Sequence, residues 1–245
     1  MCTVSWLPGA GGYTLCFNRD ERRTRAPEVP PAAREQAGMV FLAPLDGAFG
    51  GSWIAVNVAG LTLALLNRYR PSGRPVPSNA RSRGLLVLDL IAERTALDAL
   101  RALERADLSR TAPFSLVTLD PERPPRLTEW DGLTLATATG HAPGILHTSS
   151  SVTEPEVAAA RRTVFESVLP RTPDELAAVH RSHLPERGRC SICMHRDDAE
   201  TRSFSQVTVT AERVSLLHVP DAPCRGHPLP LLELARLPLP CPTPA

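Results

Sequence analysis

The chain contains no lysine; all 27 of its basic residues are arginine. Against 26 acidic residues they leave a formal charge of +1, which excludes bulk electrostatic attraction to nucleic acid or to an anionic membrane. Arginine without lysine, alongside abundant Ala and Pro, reads as the codon bias of a GC-rich genome. No apolar run approaches the roughly 20 residues that a transmembrane helix needs. The N-terminus lacks a basic n-region, and the charged run Asn18-Arg19-Asp20-Glu21 arrives too early for a secretory h-region. Membrane insertion is therefore not expected, and a reducing cytoplasm is. Six cysteines in 245 residues are too few for a disulfide framework. Thiols in that compartment are packing residues, ligands or nucleophiles.

What is present reads as one globular domain over residues 1–227, followed by a Pro-rich, irregular tail over 228–245. Residues 3–8 and 13–18 alternate as strands, with Gly9, Gly11 and Gly12 turning the chain between them. Residues 52–57 and 61–67 form a second strand pair, while 24–38, rich in Pro, Arg and Glu, reads as a surface connection. A loop covers 71–79. Leucine spacing predicts helices over 83–93 and 96–106, the second capped by Thr95. Strands follow at 114–119, 126–130, 133–138 and 145–149. Thr153 with Glu156, and Thr172 with Glu175 after Pro173, open two more helices. A last hairpin spans 201–210 and 213–219. Runs of strands separated by helix pairs predict an α+β fold with mainly antiparallel sheets.

The chemistry-bearing position is Cys2. Removal of Met1 would give this residue both a thiol and a free α-amine, whose unperturbed pKa near 7.7 makes it a base at neutral pH. An adjacent amine can activate such a nucleophile. The predicted hairpin returns Asn18-Arg19-Asp20-Glu21 to the chain start, so Arg19 can stabilise the thiolate and Asp20 can orient the amine. Cys2 is then expected to be the most reactive of the six thiols, because a neighbouring cation lowers a thiol pKa.

Met1-Cys2-Thr3, Asn18-Arg19-Asp20-Glu21, Arg25-Ala26-Pro27 and Gly50-Gly51-Ser52-Trp53 together resemble the NRDE family, also called the transport and Golgi organisation protein 2 family. The stretch from Cys193 to Ala199, with Thr201-Arg202-Ser203, resembles the C-terminal part of bacterial members, so the likeness runs over roughly residues 1–210. The family is in turn distantly similar to the choloylglycine hydrolase and penicillin V acylase cysteine acylases. That resemblance implies a four-layer αββα sandwich of the N-terminal-nucleophile (Ntn) hydrolase type, no cofactor, and amide-bond hydrolysis by Cys2 with Arg19 and Asp20. It also implies an oxyanion donor in an Asn-x-x-Gly-Leu segment, matched by Asn57 in Asn57-Val58-Ala59-Gly60-Leu61. Asn18, Ser149 and Arg202 follow as substrate-side residues. Two departures stand out. Arg19 directly precedes Asp20, where the acylases space the pair by three, so strand alternation would send the two to opposite faces. The segment His147-Thr148-Ser149-Ser150-Ser151 lacks the second Asn of the acylases, and Asn67 and Trp53 read as strand-end and core residues.

A competing pattern is Cys190-Ser191-Ile192-Cys193 with His195, followed later by Cys224-Arg225-Gly226-His227, which resembles structural zinc spacing. The family resemblance accounts for Cys193 and His195 without a metal, so no metal is expected. The leading expectation is an N-terminal-cysteine amidohydrolase acting on a small-molecule amide. The alternative, implied by eukaryotic relatives, is a non-catalytic carrier of haem or an acyl lipid, with a hydrophobic ligand as its partner. The hydrolase expectation requires that Met1 be absent from the mature protein. An intact-mass measurement on purified protein should show the loss of one methionine, and a retained Met1 in active protein would remove the amine base.

Overall fold

A computed structural model describes residues 2–69, 78–139, 147–149 and 154–237. The chain runs β1 (Cys2–Gly9), β2 (Gly12–Arg22), β3 (Val29–Gln36), β4 (Met39–Leu45), β5 (Ile54–Asn57) and β6 (Thr62–Asn67). Helices α1 (Arg83–Leu90) and α2 (Ala96–Arg105) follow, then β7 (Phe114–Asp120), β8 (Arg123–Trp130), β9 (Leu135–Thr139) and β10 (His147–Ser149). The chain continues through α3 (Glu154–Val168), α4 (Pro173–Arg181), β11 (Ala199–Val209), β12 (Arg213–Val219) and β13 (Leu232–Ala235). One sheet has the order β10-β1-β2-β11-β12-β13 and the other β3-β4-β5-β6-β7-β8-β9, and every strand pairing within them is antiparallel.

Strand alternation sorts the residues into layers. Val4, Trp6, Leu15 and Phe17 of the first sheet meet Ile54, Val56, Ala64 and Leu66 of the second in one buried cluster. The intervening residues Leu63 and Leu65 face the other way, onto Val87, Leu90, Ala99 and Leu103 of α1 and α2. Cys16 and Phe204 likewise face Phe165, Leu176 and Val179 of α3 and α4. The result is helices, sheet, sheet, helices: the expected four-layer sandwich. Thr95 caps α2 by accepting from Asp98 N–H, and Thr172 with Glu175 forms the full capping box of α4. Thr153 lies outside the described residues.

Two expectations need correction. Residues 24–38 are not a plain connection, because Val29–Gln36 pairs with β4. Pro30 and Pro31 sit where the register shifts between Val29 and Ala32, on the edge of the sheet, where no ladder hydrogen bond is lost. Ala37 and Gly38 turn the hairpin with φ of 48° and 80°, the doubly left-handed geometry of a tight two-residue turn. The tail is also not irregular from 228, since Leu232–Ala235 adds an edge strand to β12. Arg236 and Leu237 then bond to the carbonyls of Glu212 and Val58.

A buried polar contact docks α4 on the first sheet. Asn18 Nδ2 donates to the carbonyls of His180 and Ile192, both at 2.9 Å. Its Oδ1 therefore accepts from His180 Nδ1 at 3.0 Å, which fixes the tautomer, and Nε2 accepts from the Ser5 hydroxyl at 2.8 Å. Burial, reinforced by the Arg161 guanidinium, depresses the His180 pKa to about 3. The unfolded chain takes up this proton below about pH 6.5, whereas the folded chain does so only near pH 3. Between the two, acid favours unfolding, by about 1.4 kcal/mol per pH unit for one such group. Denaturant titrations at pH 7 and pH 5 should show the wild type losing up to ~2 kcal/mol more than His180→Gln over that interval. Equal losses would show that His180 is not held neutral.

Candidate active site

β1 is an interior strand, flanked by β2 and β10. Its register places Cys2 opposite Arg19 on one side and Ser149 on the other. Directly opposed residues share a face, so Cys2 and Arg19 both point between the sheets, with Val4 and Phe17 behind them. The Cys2 sulfur lies 4.0 Å from the Asp20 carbonyl oxygen. In front of it opens a cleft of about 310 Å3, whose walls include Arg19, Asp20, Trp53, Asn67 and Arg83.

Asp46, just beyond β4, organises one wall. Its Oδ1 accepts from the Ala48 and Phe49 amides at 3.0 Å, closing the turn that leads to Gly50 and Gly51. Its Oδ2 receives Arg19 at 2.7 Å and Arg25 Nε at 3.1 Å. The Arg19 guanidinium also lies 4.2 Å from the centre of the Trp53 ring, and that of Arg25 lies 4.7 Å from the centre of Phe49. Glu28 holds Arg19 from the far side at 3.5 Å while accepting from Ser203 and contacting His218. Gly51 lets the opposite wall close in: a Cβ there would stand 2.4 Å from the Gly84 carbonyl carbon, so a side chain would push α1 off the cleft. The Arg25-Ala26-Pro27 and Gly50-Gly51-Ser52-Trp53 motifs thus have a shared physical basis in seating Arg19.

Asp20 occupies the other face of β2, toward α3 and α4. Its carboxylate accepts from Thr201 at 2.6 Å and from the Arg161 guanidinium at 3.3 Å, and Arg161 also donates to Thr3 at 2.5 Å. Asp20 and Arg161 side chains are fully buried. Burial raises the Asp20 pKa, and Arg161 and the chain's terminal ammonium oppose that rise. Burial also raises the Cys2 pKa, outweighing the lowering by the ammonium and by Arg19. The expectation of a lowered thiol pKa is corrected on this point, because taking a thiolate out of water costs more than these cations return. A thiol so placed needs a base to take its proton before it can attack.

Other expected residues are placed differently. Asn57 is fully buried on the face of β5 turned toward α1 and α2, away from the cleft. Both of its amide hydrogens are committed, to the carbonyls of Ile91 at 2.8 Å and Glu93 at 2.7 Å, and its oxygen accepts from Ala59 and Leu61. It staples the α1–α2 connection and is not placed to meet an oxyanion. Asn18 is spent on α4, as described. Arg202 is the extra residue of a bulge between Thr201 and Ser203 and donates to the Arg23 carbonyl. That bulge keeps Thr201 beside Asp20 and Ser203 beside Arg19. Ser149 stands opposite Cys2 in register.

Asn67, read from the sequence as a strand-end residue, lines the cleft, and Arg83 and Arg161 were missed. Asn67, at the end of β6, donates to the Tyr69 hydroxyl at 3.2 Å. Arg83, at the start of α1, donates to the Pro113 carbonyl at 2.9 Å. Arg161 carried a usable signal, since it falls on the buried stripe of α3 with Val157, Val164 and Phe165. A charged residue on an apolar stripe needs a buried partner. Away from the cleft, His183, Cys193, His195 and Cys224 bring their donor atoms together, whereas Cys190 and His227 stand outside that group.

Comparison with known structures agrees with this architecture. The N-acylethanolamine-hydrolyzing acid amidase orthologue of Caenorhabditis elegans superposes with a TM-score of 0.61 at 12% identity, over 84% of this chain and 92% of that one. Penicillin V acylase from Agrobacterium tumefaciens gives 0.59 at 11%, over 90% and 83%. A variant of the conjugated bile acid hydrolase from Clostridium perfringens gives 0.52 at 11%, over 97% and 98%. At such identities the likeness is one of fold. No curated protein sequence matches the chain. Its sequence does match the profile of the Transport and Golgi organisation 2 family over residues 1–178, and the chain belongs to that family.

Proposed function

We propose that this chain is an N-terminal-nucleophile cysteine hydrolase that cleaves the carbon–nitrogen bond of a small-molecule amide. The observation that carries the reading is the position of Cys2: in the wall of a cleft, opposite the pinned Arg19 and beside the buried Asp20. Once Met1 is lost, the α-amine of Cys2 belongs to the same residue as the sulfur. Its unperturbed pKa near 7.7 leaves a substantial share as free base at neutral pH. The amine takes the thiol proton as sulfur attacks the amide carbonyl. The tetrahedral intermediate places its negative charge on oxygen, and Asn67 takes the donor role expected of Asn57. When the carbon–nitrogen bond breaks, the ammonium returns the proton to the leaving nitrogen. Water, deprotonated by the same amine, then resolves the thioester to acid and free thiol.

Arg19 and Asp20 act by position. Arg19 supplies positive potential beside the sulfur, and Asp20 holds the amine while Arg161 and Thr201 hold Asp20. The cleft lies near the lower end of the roughly 300–1,000 Å3 usual for small-molecule sites. It suits a compact acyl group, and Arg83 favours a substrate bearing a negative charge. No described helix is long and apolar enough to cross a membrane. A free thiol nucleophile suits a reducing cytoplasm.

Incubation with an activated acyl ester should add one acyl group to Cys2, located by intact mass and peptide mapping, and Cys2→Ala should add none. Asn67→Ala should slow acylation by ~10²–10³-fold, the loss typical of an oxyanion donor. Asn57→Ala should instead lower the melting temperature and leave acylation of the folded protein near wild type. Failure to acylate Cys2, together with a stoichiometric haem titration followed at the Soret band, would replace this reading with the carrier one. The acylation rate should also rise with pH as the amine deprotonates, around pH 7–8. A carboxylate nearby favours the ammonium, so Asp20→Asn should shift that midpoint to lower pH. An unmoved midpoint would separate Asp20 from the amine.

A further inference from the structure

The stretch between α4 and β11, residues 182–198, contains neither helix nor strand, yet Ile192, Cys193 and Met194 within it are fully buried. Isolated hydrogen bonds hold it in part, from Cys193 N–H to the Ser182 carbonyl and from Asn18 to the Ile192 carbonyl, and a side-chain cluster stands beside them. Four side chains converge there from three parts of the chain: His183 just after α4, Cys193 and His195 before β11, and Cys224 in the turn after β12. Their donor atoms all lie within 4.8 Å of one another. We propose that His183, Cys193, His195 and Cys224 form a structural zinc site that fastens this segment to the fold.

The geometry argues for a tetrahedral ion. His183 Nε2 and His195 Nε2 are 3.2 Å apart, Cys193 Sγ is 3.6 Å from His195 Nε2, and Cys224 Sγ is 3.5 Å from the same nitrogen. Zinc bonded to nitrogen at ~2.05 Å and to sulfur at ~2.3 Å has tetrahedral edges of about 3.3 Å between nitrogens and about 3.6 Å between nitrogen and sulfur. The three separations match those edges. Two thiols and two imidazoles are the donors that select zinc over calcium or magnesium, which take oxygen. With four protein ligands no position remains for water or substrate, so the site is structural and not a second catalytic centre. Around it, Glu200 lies 3.9 Å from His195 Nδ1 and is held by Arg23 and Arg225. Binding is charge-balanced by release of the two thiol protons to solvent.

The site also has a route to Cys2. Met194, between the two central ligands, gives its N–H to the Thr201 hydroxyl, and that hydroxyl donates to Asp20. Cys193 N–H in turn bonds to the Ser182 carbonyl at the end of α4. The ion thus secures the segment that fixes one side of the Asp20 carboxylate. The zinc-like pattern in the sequence comprised Cys190, Cys193, His195, Cys224 and His227; the fold leaves out Cys190 and His227 and adds His183. The proposal departs in this from the expectation of no metal.

The test uses the full chain, made without a polyhistidine tag in zinc-supplemented medium and dialysed. Elemental analysis should find about one zinc per chain, as a four-ligand site requires. Titration of the wild-type thiols with an organomercurial, read with a chromogenic zinc indicator, should release that zinc without any variant. Cobalt reconstitution should give the d–d bands of a tetrahedral ion with thiolate charge transfer. Cys193→Ser and Cys224→Ser should each lower zinc at least tenfold, while Cys190→Ser and His227→Ala keep it. Three results would overturn the proposal: less than about a tenth of an equivalent of zinc in the wild type, retention of zinc in the Cys193→Ser, Cys224→Ser double variant, or a peptide map joining Cys193 to Cys224 by a disulfide. None of these readouts depends on hydrolysis, so zinc binding stands or falls separately from the reaction at Cys2.

Discussion

The register of the β1–β2 hairpin is the constraint on which the site depends. Cys2 faces Arg19 only because Gly9 pairs with Gly12 and each residue between follows in step. A slip of one residue would turn every β1 side chain to the opposite face. Val4 and Trp6 would leave the inter-sheet core, and Thr3 and Ser5 would enter it. The apolar face of β1 therefore enforces the position of the thiol. Gly12 contributes from the other end, since a Cβ there would stand 2.0 Å from the Val209 carbonyl oxygen. Only glycine lets β11 approach closely enough to complete the sheet at that point.

Strand alternation divides the charges near Cys2 between two layers. Arg19, between the sheets, is neutralised by Asp46 and Glu28 and covers Trp53. Asp20, facing the helices, is neutralised by Arg161 and satisfied by Thr201. The two adjacent residues thus hold opposite charges on opposite sides of one strand, with the N-terminal segment beside both. Breaking a buried pair by removing one partner costs about 3–5 kcal/mol. The Asp20–Arg161 pair is therefore a fixed part of the scaffold as well as of the site, and α3 cannot shift without exposing it.

The helix-facing side of the first sheet is more polar than the inter-sheet side. Ser5, Asn18 and His180 form a satisfied network where apolar packing would be usual. Such a network specifies one position of α4, because each hydrogen bond has a direction that a leucine contact lacks. The irregular segment after α4 then inherits its starting point.

Through its family resemblance the sequence implied the four-layer order; by itself it determined an α+β fold with mainly antiparallel sheets, most element boundaries and the closeness of Arg19 and Asp20 to Cys2. These follow from local information: alternation, capping residues, and a glycine turn that returns the chain to its own start. Two kinds of feature were not legible. Pro30 and Pro31 read as breakers because the edge position that tolerates them exists only once the sheet is assembled. Asn57 was placed at the cleft by the likeness of its Asn-x-x-Gly-Leu segment, whereas Asn67 read only as a strand-end residue. Only the packing of α1 and α2 on β5 decides which amide is consumed by carbonyls and which faces the cleft. Arg161 showed as a charge on a buried stripe, but its partner Asp20 could not be read because it lies on another element, far along the chain, and His183 was hidden because Cys224 joins it from beyond β12. Sequence spacing governs contacts within an element or a hairpin, whereas contacts between layers are decided by which faces the folded core brings together.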